Sequence, residues 1–179
     1  LTTVINIFGA PGSGKSTTAA GIYYNLKLQH AHCEMVREYI KNWSWEGRKP
    51  GKYDQLYILG KQAKYESNLY GKVDYIITDS PIILSGFYEH TYDGTSIAHT
   101  AAKEFMNKAE SHGVKYKNFW LTSHENYDPR GRYQDQSTAE ELEIQMIDWL
   151  RDKAGISMYI IGELGEDRVK AVMEYLHED

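Results

Sequence analysis

The chain has 179 residues, enough to bury a core without staples, and reads as one domain of ordinary soluble composition, with 41% hydrophobic and 25% charged residues. No apolar run approaches the roughly 20 residues of a membrane helix, and no basic-then-apolar leader points to export, so the cytoplasm is the expected compartment. A formal net charge of -5 argues against indiscriminate nucleic-acid binding but leaves a local basic groove open, and the lone Cys33 excludes an internal disulfide or a multi-thiolate zinc site.

In chain order, strands alternate with helices, the pattern of an α/β fold with a mostly parallel sheet. Thr3–Phe8 is a β-branched, aromatic run that reads as a buried strand, and 15–29 carries Ala19, Ile22, Tyr23 and Leu26 at helical spacing. Residues 34–36 form a second strand ending in Arg37 and Glu38. An aromatic segment over 41–48 is expected to be irregular and extended. A helix follows from Tyr53 to Tyr70, with Leu56, Leu59, Ala63 and Tyr70 on its inward face. Residues 73–79 make a third strand ending in a carboxylate, and Ser80-Pro81 breaks it. Residues 82–93 are ambiguous between short helix and loop; Ala98–Ser111 is helical and 117–121 a fourth strand. The polar stretch 123–136 precedes a helix capped by Ser137, with Leu142, Met146, Trp149 and Leu150 inward. A fifth strand, 158–161, and a helix, 167–175, complete the order.

Between the first strand and first helix lies Gly9-Ala10-Pro11-Gly12-Ser13-Gly14-Lys15-Ser16-Thr17, a full match to G-x-x-x-x-G-K-[ST] in the strand-loop-helix context that pattern requires. Glycines let successive N–H groups turn inward onto phosphate oxygens, and the helix N-terminus adds positive partial charge. Lys15 would reach the β- and γ-phosphates of a nucleotide such as ATP, and Ser16 would ligate Mg²⁺. Asp79, after a largely apolar strand, suits a second Mg²⁺ ligand or a general base. A strand-end Asp that merely caps a turn is the plain alternative.

Arg130 and Arg132, flanking Gly131 within 123–136, are placed as lid arginines closing on a transferred phosphoryl group. Arg37 and Glu38 sit where a parallel sheet opens its crevice, Glu38 as base and Arg37 on an acceptor phosphate, or else as a surface ion pair. Trp43 and Trp45, alternating on an extended segment, suit stacking on a base, or plugging the core. Lys41 and Arg48 flank them to meet acceptor phosphate. Gln55 and Gln62 offer amides for base recognition, or are simply solvated. The seven His show no metal-ligand spacing, and no G-x-S-x-G supports nucleophilic hydrolysis.

Together, Gly9 to Thr17, Val36-Arg37-Glu38-Tyr39, Trp45-Glu46-Gly47-Arg48, Ile77-Thr78-Asp79-Ser80-Pro81 and Arg130-Gly131-Arg132 resemble the small P-loop nucleotide kinases of tailed phages, a group similar to thymidylate and other nucleoside monophosphate kinases. The resemblance implies a three-layer P-loop sandwich with a five-stranded parallel core and a short lid, ATP and Mg²⁺ as cofactors, a (deoxy)nucleotide or nucleoside acceptor, and a monomer or homodimer. It also implies an alternative, phosphorylation of 5-hydroxymethyluracil within DNA, in which Asp79 or Glu38 serves as base. Where thymidylate kinases carry Asp-Arg this chain has Asp79-Ser80, so the acceptor-phosphate arginine expected there is missing. From a different class, an ATPase or nucleotide-binding switch remains a third reading.

Overall fold

The apolar run that opens the chain becomes the centre of the sheet. The computed structural model describes residues 1–123 and 136–177, and the backbone alone at 136–139. β1 (Thr2–Phe8) pairs in parallel with β3 (Tyr75–Thr78) on one side and with β4 (Val114–Leu121) on the other. β2 (Cys33–Val36) lies outside β3 and β5 (Tyr159–Ile161) outside β4, giving five parallel strands in the order β2-β3-β1-β4-β5. The α/β expectation with a five-stranded parallel sheet therefore holds. A parallel sheet is covered on both faces, which is why Val4–Phe8 of β1 reads as a largely apolar run rather than an alternation; the exception, Asn6, donates to Asn118 Oδ1 at 2.9 Å.

One face carries α1 (Lys15–Leu28) and α7 (Gly165–Leu176): Ala19, Ile22, Leu26 and Val172 pack on Ile5, Ile7, Phe119 and Leu121. The other face carries α3 (Asp54–Ser67), α4 (Leu84–Asp93), α5 (Ile97–Ser111) and α6 (Gln136–Asp152), packed around Phe8, Phe87, Trp120 and Trp149. Among the described residues no helix is long and apolar enough to cross a membrane.

Two local expectations are corrected and one open stretch is settled. Lys41–Trp45 is a short helix, α2, and not an extended segment, so its two tryptophans diverge: Trp43 is buried and Trp45 is 67% exposed. The ambiguous stretch after Pro81 is a real helix, α4, ended by Gly94 in the left-handed region at φ 69°. On α3 the buried face is Gln55, Ile58, Leu59, Gln62, Ala63 and Glu66, while Leu56 is about half exposed. Gln62 and Glu66 point inward there because each has a partner inside.

Glu66 shows this most sharply. It is fully buried, and its Oε1 accepts hydrogen bonds from the Tyr70 hydroxyl at 2.5 Å and, more weakly, from the Tyr116 hydroxyl at 3.4 Å. Its Oε2 has no partner among the described residues. Burial pushes the carboxyl up to about 7, against the opposing pull of the two phenols.

Candidate active site

The loop after β1 folds back on itself through its glycines. Gly14, which precedes α1, is left-handed at φ 89°, a conformation that favours a residue without Cβ. Gly9 has φ 151°, and a Cβ there would lie 2.4 Å from Ser13 Oγ and 2.9 Å from the Leu121 carbonyl oxygen, so the loop closes only around glycine. Inside the turn, the Ser13 N–H donates to the Ala10 carbonyl at 3.1 Å. Lys15 Nζ donates to the Gly9 and Ala10 carbonyls at 2.8 and 2.9 Å, which holds the ammonium at the mouth of the loop.

Asp79 meets this loop from the end of β3. The Ser16 hydroxyl donates to Asp79 Oδ2 at 2.6 Å, and the Glu38 backbone N–H donates to Asp79 Oδ1 at 3.2 Å. One nearly buried carboxylate thus ties α1, β3 and the end of β2 together. A cavity of about 200 Å³ opens here, with Pro11, Gly12, Gly14, Lys15, Ser16 and Thr17 on one side. Glu38, Lys41, Ser44, Asp79, Ser80, Leu84 and Tyr88 form the other. A larger cavity, about 910 Å³, lies at the opposite, amino-terminal edge of the sheet. Two of its lysines, Lys103 and Lys117, donate to the Ala154 and Tyr175 carbonyls, and none of the loop residues reaches it. Loop, cation and carboxylates converge on the smaller cavity.

Of the residues singled out from sequence, the structure brings Lys15, Ser16, Thr17, Glu38, Lys41 and Asp79 into this cavity, while Ala10 and Ser13 are buried behind it. Arg37 is exposed beside it, and its carbonyl accepts from Gln62. Gln62 is a correction: its Oε1 accepts from the Tyr39 N–H at 3.1 Å and its Nε2 donates to the Arg37 carbonyl at 3.3 Å. Buried, with both amide ends on this backbone, it shapes the strand-end loop instead of reading a base. Trp43 takes the core alternative and not base stacking: it is buried, its ring stacks on Tyr57 at 6.4 Å and it lies under the Arg48 guanidinium at 3.5 Å. Arg48 also faces Asp54 at 3.8 Å. Arg130 and Arg132, with residues 124–135 of the expected lid, lie outside the described residues.

Two participants escaped the sequence reading. Tyr88 lines the cavity from α4, and burial first, then the Glu38 charge, raise its phenol above the ordinary range, so it stays a hydrogen-bond donor. The signal was Leu84 and Tyr88 at i and i+4, hidden while the stretch was not known to be a helix. Arg168 on α7 is 2% exposed and donates to the Ser13 carbonyl at 2.6 Å. A lone arginine near the start of an amphipathic helix carries no signal of that.

A parallel sheet in this order, with a phosphate loop after its central strand and a carboxylate closing the neighbouring one, defines a P-loop domain of kinase-like form. A family model described as an AAA domain matches residues 4–168, and the chain belongs to that family. Among solved structures, it is similar to deoxyadenosine kinase from M. mycoides with the products dCMP and a flexible dCDP bound, at 18% identity and a TM-score of 0.63, over 98% of this chain and 100% of that one. The same enzyme with bound dATP gives 18% and 0.58, over 98% and 99%. The APS kinase of Mycobacterium tuberculosis, in complex with AMPPNP and APS, gives 9% and 0.57, over 99% and 98%. At these identities the likeness is one of fold. No curated protein sequence matches the chain significantly.

Proposed function

We propose that the chain is an ATP- and magnesium-dependent phosphotransferase that moves the γ-phosphate to a nucleotide or nucleoside-type acceptor. The observation that carries this reading is the link from Ser16 through Asp79 to the Glu38 backbone, which sets a phosphate loop and a second carboxylate around one cavity. Solved kinases of the same fold hold deoxynucleotides or AMPPNP, which supports the substrate class.

The loop N–H groups and Lys15 hold the β- and γ-phosphates. Ser16 and Asp79 present oxygen donors 2.6 Å apart, a pair that fits a small hard cation whose remaining positions are filled by phosphate oxygens and water. Mg²⁺ held there would neutralise charge on the β- and γ-phosphates. Both oxygens of Asp79 accept hydrogen bonds, which supports Glu38 for the base left open by sequence. When the acceptor is a hydroxyl, its oxygen forms the bond to the γ-phosphorus as the bond from that phosphorus to the bridging oxygen breaks. ADP leaves and the hydroxyl proton passes to the Glu38 carboxylate.

The test is ADP formation from Mg-ATP against deoxynucleoside monophosphates, free nucleosides, 5-hydroxymethyl-dUMP, and oligonucleotides with and without 5-hydroxymethyluracil. Acceptor-dependent ADP formation is expected, and Glu38→Gln is expected to lower kcat for a hydroxyl acceptor by about 10²–10⁴-fold. Equal ADP release with no acceptor would replace the proposal with an ATPase.

A second reading, an acceptor base carried within DNA, is favoured by one surface. Trp45, Tyr53, Tyr57 and Tyr65 are 67%, 87%, 48% and 47% exposed along α2 and α3. Between positions 41 and 65, Lys41, Arg48, Lys49, Lys52, Lys61 and Lys64 are countered only by Glu46 and Asp54, in a chain of net charge -5. Aromatic faces interleaved with cations hold single strands by stacking and backbone charge. Fluorescence anisotropy of a labelled oligonucleotide should show binding that Lys61→Glu with Lys64→Glu weakens about tenfold, with a salt slope lower by about 1.4. An oligonucleotide that does not bind even in 50 mM salt (about 14 Å screening) removes this reading and leaves the first intact.

A further inference from the structure

Arg168, in the first turn of α7, buries a guanidinium with no ion pair among the described residues. Its partners are three main-chain carbonyls. Nη1 donates to Ser13 at 2.6 Å, Nη2 to Thr122 at 2.8 Å, just past the end of β4, and Nε to Glu163 at 2.7 Å, just past β5. The planar fork is well matched to three acceptors set around it, which a lysine's point charge is not. Burial pulls its pKa down, and the charge of Glu163 opposes this.

The Ser13 contact has a geometric consequence. A trans peptide is planar, so the Ser13 carbonyl and the Gly14 N–H point in opposite directions. Arg168 holds the carbonyl on the protein side, where Ser13 is buried, and Gly14 lines the cavity on the other. We infer that Arg168 is a positioning residue of the phosphate cradle: it fixes the Ser13–Gly14 peptide with its N–H toward the nucleotide phosphates and ties that peptide to the carboxyl ends of β4 and β5. The inference rests on the loop as a phosphate site and not on which acceptor is used. The cation also stands directly behind the cradle, where its charge favours an anion in front of it.

The test uses the full chain and needs no acceptor. Arg168→Met removes fork and charge; Arg168→Lys keeps the charge and loses the fork. Calorimetry with ATP, ADP, tripolyphosphate and adenosine is run well below the melting temperature of each variant, with folding checked by circular dichroism. Arg168→Met is expected to weaken ATP, ADP and tripolyphosphate at least tenfold and to leave adenosine within twofold. Arg168→Lys should fall between the two. Lower melting temperatures with ADP and tripolyphosphate affinities within twofold of the parent would show a residue that only holds elements together, and would overturn the inference. Should Arg168→Met not fold, Arg168→Lys decides: at least a threefold loss for ADP at unchanged adenosine affinity supports the inference, and unchanged ADP affinity overturns it. A parent protein that binds none of the phosphates would instead sink the phosphate-loop reading, an outcome visible before any variant is made.

Discussion

Replacing Lys15 by Met should lower kcat/KM for phosphotransfer by about 10²–10³-fold, on the scale of losing one preorganised group that meets developing charge. The unbranched apolar stem is kept and only the terminal ammonium is lost, so the comparison tests the charged group. The fold should survive. Lys15 Nζ now donates to the Gly9 and Ala10 carbonyls, and the two lost hydrogen bonds cost about 1 kcal/mol each, but the Ala10 carbonyl keeps the Ser13 N–H. Two measurements check it: acceptor-dependent ADP formation, and the rise in melting temperature on adding Mg-ATP, which should shrink with the affinity. Wild-type turnover in Lys15→Met would show that the loop is not the site of phosphoryl transfer.

A second large effect is expected on stability, at Glu66. Its ordinary value is 4.5 and its folded value about 7, raised because burial disfavours the charge. Below pH 4.5 the carboxyl is protonated in both folded and unfolded chains, and the folded chain has the full benefit of a neutral group. From pH 4.5 to about 7 the unfolded chain has given up a proton that the folded chain still holds, so stability falls as pH rises. Above about 7 the loss is complete and amounts to about 3 kcal/mol. Glu66→Gln should remove that slope. Its Nε2 would take the place of Oε2, which has no partner among the described residues, so the melting curve also carries a constant offset of about 1–3 kcal/mol. The decisive quantity is therefore the difference between variant and parent, followed by calorimetry from pH 4.5 to 8.5. It should move in favour of the variant as pH rises. A difference that stays flat across that range would mean that the Glu66 carboxyl ionises normally despite its burial.

What could be seen in the sequence was whatever local physics specifies. The β1-loop-α1 unit is legible because a strand buried on both faces is largely apolar, and because glycine spacing dictates a loop closed around Gly9 and Gly14. Asp79 is legible because it directly follows such a strand. Illegible were the residues whose role depends on a partner far along the chain. Gln62 meets backbone 23 and 25 residues away, and Arg168 meets a carbonyl 155 residues away. Nothing in their neighbours along the chain distinguishes them from solvated helix residues. Residues 41–45 failed for a related reason. Tryptophans two apart look like strand alternation, and it took the tertiary stack on Tyr57 under Arg48 to settle a five-residue helix and bury only the first of them. The pattern on α3 misled because Gln62 and Glu66 occupy inward positions that apolar periodicity assigns to other residues.

The central place of β1 has a temporal consequence. The strand that begins at Thr2 is flanked by β3, which begins at Tyr75, and by β4, which ends at Leu121, so neither of its edges can be covered until those segments have been synthesised. Every pairing in the sheet is a long crossover, and such non-local contacts form slowly. The loop at Gly9 to Ser16 is made well before its clasp, Arg168, which lies 155 residues beyond Ser13. Nucleotide can thus meet a clasped loop only once α7 has been made. Until then the apolar segment Val4–Phe8 waits without its neighbours, which makes it the stretch most in need of protection while the protein is being made.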